Sequence, residues 1–205
     1  MRVVLAVALA TVLAGPAMSA VADAPPEKDR VGIDLLNVNG SGCKQGTAAV
    51  AVSPDNEAFT VTYSAYLVQA GAGAAKKDSA KDCRLNLKIL PPAGYSYTIL
   101  TADYRGYAEL GQGAAATLLS SYYFSGPKPT PRSHSIAGPL SDNWQVTDTT
   151  DSSSLVFGPC GTAQNLSIDT ELSVVAGPAS GSSLVAMDST DGSLQSTYHF
   201  GWARC

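Results

Sequence analysis

From Ile33 onward the chain alternates. Ala48, Val50 and Val52 are interleaved with Thr47, Ala49 and Ala51, and Ser53-Pro54-Asp55-Asn56 then supplies turn-forming residues. Phe59, Val61, Tyr63, Ala65 and Leu67 follow on one face, with Thr60, Thr62 and Ser64 on the other. A period of two belongs to a half-buried strand, so two such runs across a turn predict a hairpin. The same period returns in Leu85, Leu87 and Ile89 and in Tyr95, Tyr97 and Ile99. Trp144 and Val146 oppose Asn143, Gln145 and Thr147. Leu166, Ile168, Leu172 and Val174 oppose Ser167, Asp169, Glu171 and Ser173, and Tyr198, Phe200 and Trp202 share one face with His199 opposite. Residues 114–124 also carry a helical stripe of Ala115, Leu118, Leu119, Tyr122 and Tyr123, and are read here as strand. In Asp103-Tyr104-Arg105-Gly106-Tyr107, Gly106 is a candidate bulge that would change the face taken by each tyrosine. About ten short strands at this spacing predict an all-β fold, a single antiparallel β-sandwich or jelly-roll-like domain. Each sheet would keep one wet face.

The alternation does not reach the N-terminus. Arg2, the apolar run from Val3 to Leu13, the Gly15-Pro16 break and Ala20-Val21-Ala22 have the order of a secretory signal peptide over residues 1–22, with Ala22-Asp23-Ala24 as the alternative cleavage site. The run is shorter than the about 20 residues a bilayer requires. Residues 23–32 are polar and contain Pro25-Pro26, which predicts a flexible arm before a domain over 33–205. Cleavage after Ala22 leaves 183 of the 205 residues, with 12 basic against 17 acidic and a net charge of −5. That balance opposes nucleic acid and anionic membranes as partners.

An exported chain changes the meaning of its cysteines. Cys43, Cys83, Cys160 and Cys205 form no C-x-x-C pair, which disfavours zinc and favours two disulfides. Three connectivities are open. The expectation is one bridge per half, Cys43 with Cys83 and Cys160 with Cys205.

Candidate chemistry gathers in two places. Asp148 and Asp151, and again Asp188 and Asp191, sit in Asp-x-Thr-Asp-x-Ser turns that offer hard oxygen ligands of the kind Ca²⁺ takes. The same residues are also ordinary turn formers. Tyr104, Arg105, Tyr107 and Trp144 are a candidate platform on which a sugar or peptide would stack. His134 and His199 lack a G-x-S-x-G elbow to support a triad, so no catalytic residue is assigned. Asp103 and Glu109 flank the tyrosine run as carboxylates for a hydrolase.

Gly94-Tyr95, Tyr104-Arg105-Gly106-Tyr107, Asp142-Asn143-Trp144, Asp148-Thr149-Thr150-Asp151, Pro159-Cys160-Gly161, Asp188-Ser189-Thr190-Asp191-Gly192 and Trp202 before Cys205 together resemble domain of unknown function family 4360, across about Gly40 to Cys205. The resemblance implies secretion, four matched cysteines and a β-rich fold, and brings no activity with it. The residues themselves lead to a secreted extracellular binding module for a polysaccharide or a partner protein. The alternatives are a small secreted hydrolase using Asp or Glu and a structural or inhibitory protein.

Overall fold

In the computed structural model, which describes residues 23–26, 31–124, 126–178, 181–187 and 195–205, the alternating runs become strands of two antiparallel sheets stacked as a sandwich. The smaller sheet has the order β1 (Gly32–Asn39), β5 (Ala80–Leu90), β10 (Gln164–Val175), β7 (Ala115–Tyr123) and β8 (Arg132–Ala137). The larger has β2 (Ala48–Val52), β3 (Ala58–Tyr63), β12 (Gln195–Arg204), β6 (Tyr95–Leu110), β11 (Ser182–Ala186) and β4 (Leu67–Gly71). A further strand, β9 (Leu140–Thr149), lies on the opposite edge of β6. Residues 114–124, with their double periodicity, form strand β7: nine residues take the extended form because β10 and β8 pair with both edges.

Strand β6 is the spine. Its 16 residues pair with β12 over Tyr95–Tyr104 on one edge and with β9 over Thr101–Leu110 on the other. The expected bulge is not at Gly106. Tyr104, Arg105, Gly106 and Tyr107 face Val146, Gln145, Trp144 and Asn143 in unbroken register. The irregularity lies earlier, between His199 and Phe200, where Leu100 is the extra residue on β6. Glycine is needed at 106 for another reason: the Trp144 ring and the Ala186 carbonyl occupy the space a side chain would take.

Between the sheets lies a core rich in rings. Phe59 stacks on Tyr198 with centroids 4.9 Å apart, and Tyr97 meets Phe200 edge-on at 5.6 Å. Tyr104, Tyr198 and Trp202 are fully buried, and Trp202 Nε1 donates to the Asn56 carbonyl at 3.0 Å. Burial pushes the Tyr63 hydroxyl up to about 12. It pushes Tyr104 and Tyr198 well above the usual 10, helped by the Asp148 carboxylate nearby. These hydroxyls stay protonated and polar inside the core.

Both expected disulfides form. Cys43–Cys83 is buried and ties the segment after β1 to β5. Cys160–Cys205 is exposed and ties the β9–β10 connection to the C-terminus. Residues 1–22, read as a signal peptide, lie outside the described residues. The stretch read as an arm is docked where it is described. The Asp23 N–H donates to the Trp202 carbonyl at 2.7 Å, and its carboxylate accepts from the Arg204 N–H at 2.8 Å. Pro26 and Val31 are buried beside Asn56, whose side chain bonds the backbone of both. Backbone pairing and apolar burial thus hold the described residues of this stretch against β12 and the β2–β3 turn.

Candidate functional site

Because β6 alternates without interruption beyond Leu100, its odd-numbered residues from Thr101 on face outward and its even-numbered ones inward. Asp103, Arg105 and Tyr107 therefore line the outer face of the larger sheet. Across the ladder from them stand Thr147, Gln145 and Asn143, all exposed on β9. On the other edge Thr197 is paired with Asp103, and His199 with Thr101. Adjacent strands are about 4.8 Å apart and same-face residues about 7 Å apart along a strand. The result is a rigid array of polar side chains with one half-exposed tyrosine ring among them. The Tyr107 hydroxyl is 3.2 Å from Ser141 Oγ, which fixes the tip of the ring.

Asp103 is the electrostatic centre of this face. Thr147 Oγ1 donates to Oδ1 at 2.5 Å, and His199 Nε2 donates to Oδ2 at 2.9 Å. Partial burial alone would raise its pKa. The two hydrogen bonds and the nearby charges of His199 and Arg105 outweigh burial and hold the carboxyl below its usual 3.8. A carboxylate whose folded pKa is depressed adds stability above its unfolded value, and that stability is lost as pH falls through the folded value. Asp103→Asn is therefore expected to lower the neutral plateau and to flatten the acid limb below about pH 4, so that the two stability profiles converge at low pH. Urea titrations across the acid range check this, and an unaltered acid limb would show that Asp103 does not hold it up.

The structure divides the residues anticipated as a platform. Arg105 and Tyr107 share the outer face, whereas Tyr104 and Trp144 point into the core at 0% and 6% exposure. Regular pairing at Gly106 is the cause: with no extra residue, neighbours must take opposite faces. The four are not one surface. His199, Thr147, Gln145 and Asn143 complete the outer array instead. Each was visible as the polar partner of a buried residue, but which strands are neighbours was not.

The first acidic turn is also divided. Asp148 is a strand residue, 2% exposed, that follows Trp144 and Val146 on the inward face of β9. Its Oδ2 accepts from Ser120 Oγ at 2.5 Å, and its Oδ1 lies 2.6 Å from His134 Nε2. It thereby bolts β9 to β7 and β8 across the open edge of the sandwich. Asp151 lies beyond the strand and is exposed, so the two carboxylates do not converge on one ion. Asp188 and Asp191 lie outside the described residues. Among the described residues no three His, Cys, Asp or Glu side chains are grouped to hold a metal ion. The Ser120–Asp148–His134 order puts the carboxylate in the middle, so the serine is bonded to the acid rather than to a base that could activate it.

At one end of the sandwich the sheets part around a cavity of about 350 Å³. Its floor is Ile99 and Leu166, and its walls include Tyr122, Phe124 and Val156. The β9–β10 connection forms one side. It is anchored by Gly158 and Gly161 N–H groups donating to the Tyr97 and Tyr95 carbonyls at 3.0 and 2.8 Å, and by the Cys160–Cys205 bridge. Sequence reading missed this groove, because two loops that carry no periodicity build it.

The sequence model of the domain of unknown function DUF4360 matches residues 29–205. An "Uncharacterized secreted protein" of Arthroderma benhamiae is 33% identical over 181 residues, which is 88% of this chain and 74% of that protein. Among solved structures, TmCBM61 in complex with β-1,4-galactotriose is 12% identical, covering 82% of this chain and 88% of that one, at a TM-score of 0.29. A family 11 carbohydrate-binding module from Clostridium thermocellum, in complex with a β-1,3-1,4-mixed-linked tetrasaccharide, is 11% identical over 81% and 90% of the two chains, at a TM-score of 0.22. Likenesses this low transfer neither a binding face nor a ligand. The family model covers residues 29–205, most of the chain, and the chain belongs to the DUF4360 family.

Proposed function

We propose that this protein is a secreted binding module that holds an extracellular polysaccharide on the outer face of its larger sheet. One observation carries the reading. The half-exposed Tyr107 ring is set on a rigid strand among Arg105, Asn143 and Gln145, with the Asp103–His199–Thr147 cluster alongside. A sugar ring offers an apolar face and a rim of hydroxyls. An aromatic face receives the first, and fixed amide, carboxylate and guanidinium groups receive the second. The array runs along strands, which suits an extended chain, and its pre-set spacing spares the ligand most of the ordering cost of binding. A hydrolase would need two carboxylates facing each other. Asp103 and Glu109 lie six positions apart on one strand, about 20 Å at the strand rise, beyond the roughly 5–10 Å such pairs span.

Co-sedimentation with a panel of insoluble polysaccharides tests the proposal. The wild-type protein is expected to be retained on at least one of them. Tyr107→Ala and Arg105→Ala should each weaken retention several-fold to about tenfold. Both side chains face outward, so melting temperatures should hardly move. Retention on no polysaccharide, or retention that ignores both substitutions, removes the proposal.

A further inference from the structure

The groove at the end of the sandwich is independent of the outer face and has its own chemistry. Its lining is mostly apolar, with Phe124, Pro127 and Pro129 from the β7–β8 side and Val156 from the opposite loop. Val156 is 65% exposed, an apolar side chain left open at the rim of an apolar cavity. Among the described residues that line the groove, Arg132 alone is charged. Its guanidinium lies over the Tyr122 ring, 4.9 Å from the centroid, with Nη2 3.5 Å from Thr150 Oγ1. Tyr122 is steadied in turn by its hydroxyl, 3.0 Å from Thr150 Oγ1.

No carboxylate among the described residues comes within 4.0 Å of Arg132. The neighbouring basic residues differ: Lys128 pairs with Asp169 at 2.9 Å, and Arg84 faces the same carboxylate at 3.9 Å. Asp148, near the end of β9 and two positions before Thr150, has its two oxygens engaged by Ser120 and His134. A half-buried guanidinium in an apolar mouth, held by stacking and one long hydrogen bond, keeps most of its donors for an incoming acceptor. A cavity of about 350 Å³ is of a size that encloses a small molecule.

We propose that this groove is a binding site for a small amphipathic carboxylate. Its apolar body would lie against Phe124, Val156 and Ile99, and its carboxylate would be received by Arg132. Charge complementarity selects the anion, because a neutral ligand with the same body would bury the guanidinium without neutralising it.

Calorimetric titration with 1-naphthoate and with neutral 1-naphthalenemethanol at pH 7 tests this. The wild-type protein is expected to bind the carboxylate at least about tenfold more tightly than the alcohol, the ratio one charge-assisted hydrogen bond supplies. Arg132→Gln should abolish that preference, and Arg132→Lys should restore part of it. Val156→Asp, at an exposed position that folding tolerates, should weaken both ligands and the carboxylate more. Tyr107→Ala should change neither, which separates this site from the polysaccharide face. Equal affinity for the two ligands, absence of binding to either, or a preference that survives Arg132→Gln would each overturn the assignment. If Arg132→Gln does not fold, unchanged 1-naphthoate binding in Val156→Asp overturns it alone.

Discussion

Gly106→Ala is expected to cost about 3 kcal/mol of folding stability, the upper end of what overpacking a core does, and Gly106→Val more. The reason is local. A Cβ at 106 would sit inside contact distance of both the Trp144 indole and the Ala186 carbonyl oxygen. The carbonyl belongs to β11, whose Ala186 is paired with Tyr107, so it cannot retreat without loosening that pairing. The ring would have to move instead. Trp144 is 6% exposed and packs on the inward face of β9, so it has little room inside and a short way to solvent at the edge. Urea unfolding reads the stability. The emission of Trp144, isolated in a Trp202→Phe background, reads the ring and should shift to the red. Wild-type stability together with an unshifted spectrum would show that the indole does not depend on the glycine.

That substitution also marks where the sequence was legible and where it was not. Glycine among tyrosines read as a bulge, since glycine in a strand signals either a bulge or a close approach. Only the position of Trp144 across the ladder decides for the close approach, and the pairing of β6 with β9 joins positions 38 residues apart. The inward faces of β5, β10 and β12 were visible as strict alternation, because both faces of those strands meet such different surroundings. Asp148 was visible too and was misplaced. Counting by twos from Trp144 and Val146 puts it inside, yet an aspartate near serines and threonines reads as a turn. A buried carboxylate is tolerated there because Ser120 and His134 satisfy it, and both come from strands that sequence spacing cannot bring near. The outer array and the end groove are harder again. Each depends on which strands are neighbours and on loops without period, while the number of disulfides needed only a count of cysteines in a chain read as exported, and their pairing rested on the expectation of one bridge per half.

Under native conditions, mild reduction is expected to open Cys160–Cys205 first and leave Cys43–Cys83 closed. Thiol–disulfide exchange needs a thiolate to reach a sulfur, so access governs the order. Cys160, in the β9–β10 connection, and Cys205, the last residue, are exposed, whereas Cys43 and Cys83 are 0% and 1% exposed. The two bridges close comparable lengths of chain, with separations of 40 and 45 residues. Each is therefore expected to contribute about 2–5 kcal/mol, and the difference lies in the route to reduction rather than in loop entropy. Opening the exposed bridge should leave the sandwich standing but free the β9–β10 connection. That connection is then held to β6 mainly by the Gly158 and Gly161 backbone bonds and the Ser96 hydroxyl on the Gly158 carbonyl. The buried bridge should yield only when the fold opens, so its reduction should follow global unfolding as denaturant is added. Timed alkylation with mass spectrometry assigns the thiols. Labelling of Cys43 and Cys83 ahead of Cys160 and Cys205 in the absence of denaturant would contradict the burial that sets the order. Labelling of any cysteine before reductant is added would contradict the pairing itself.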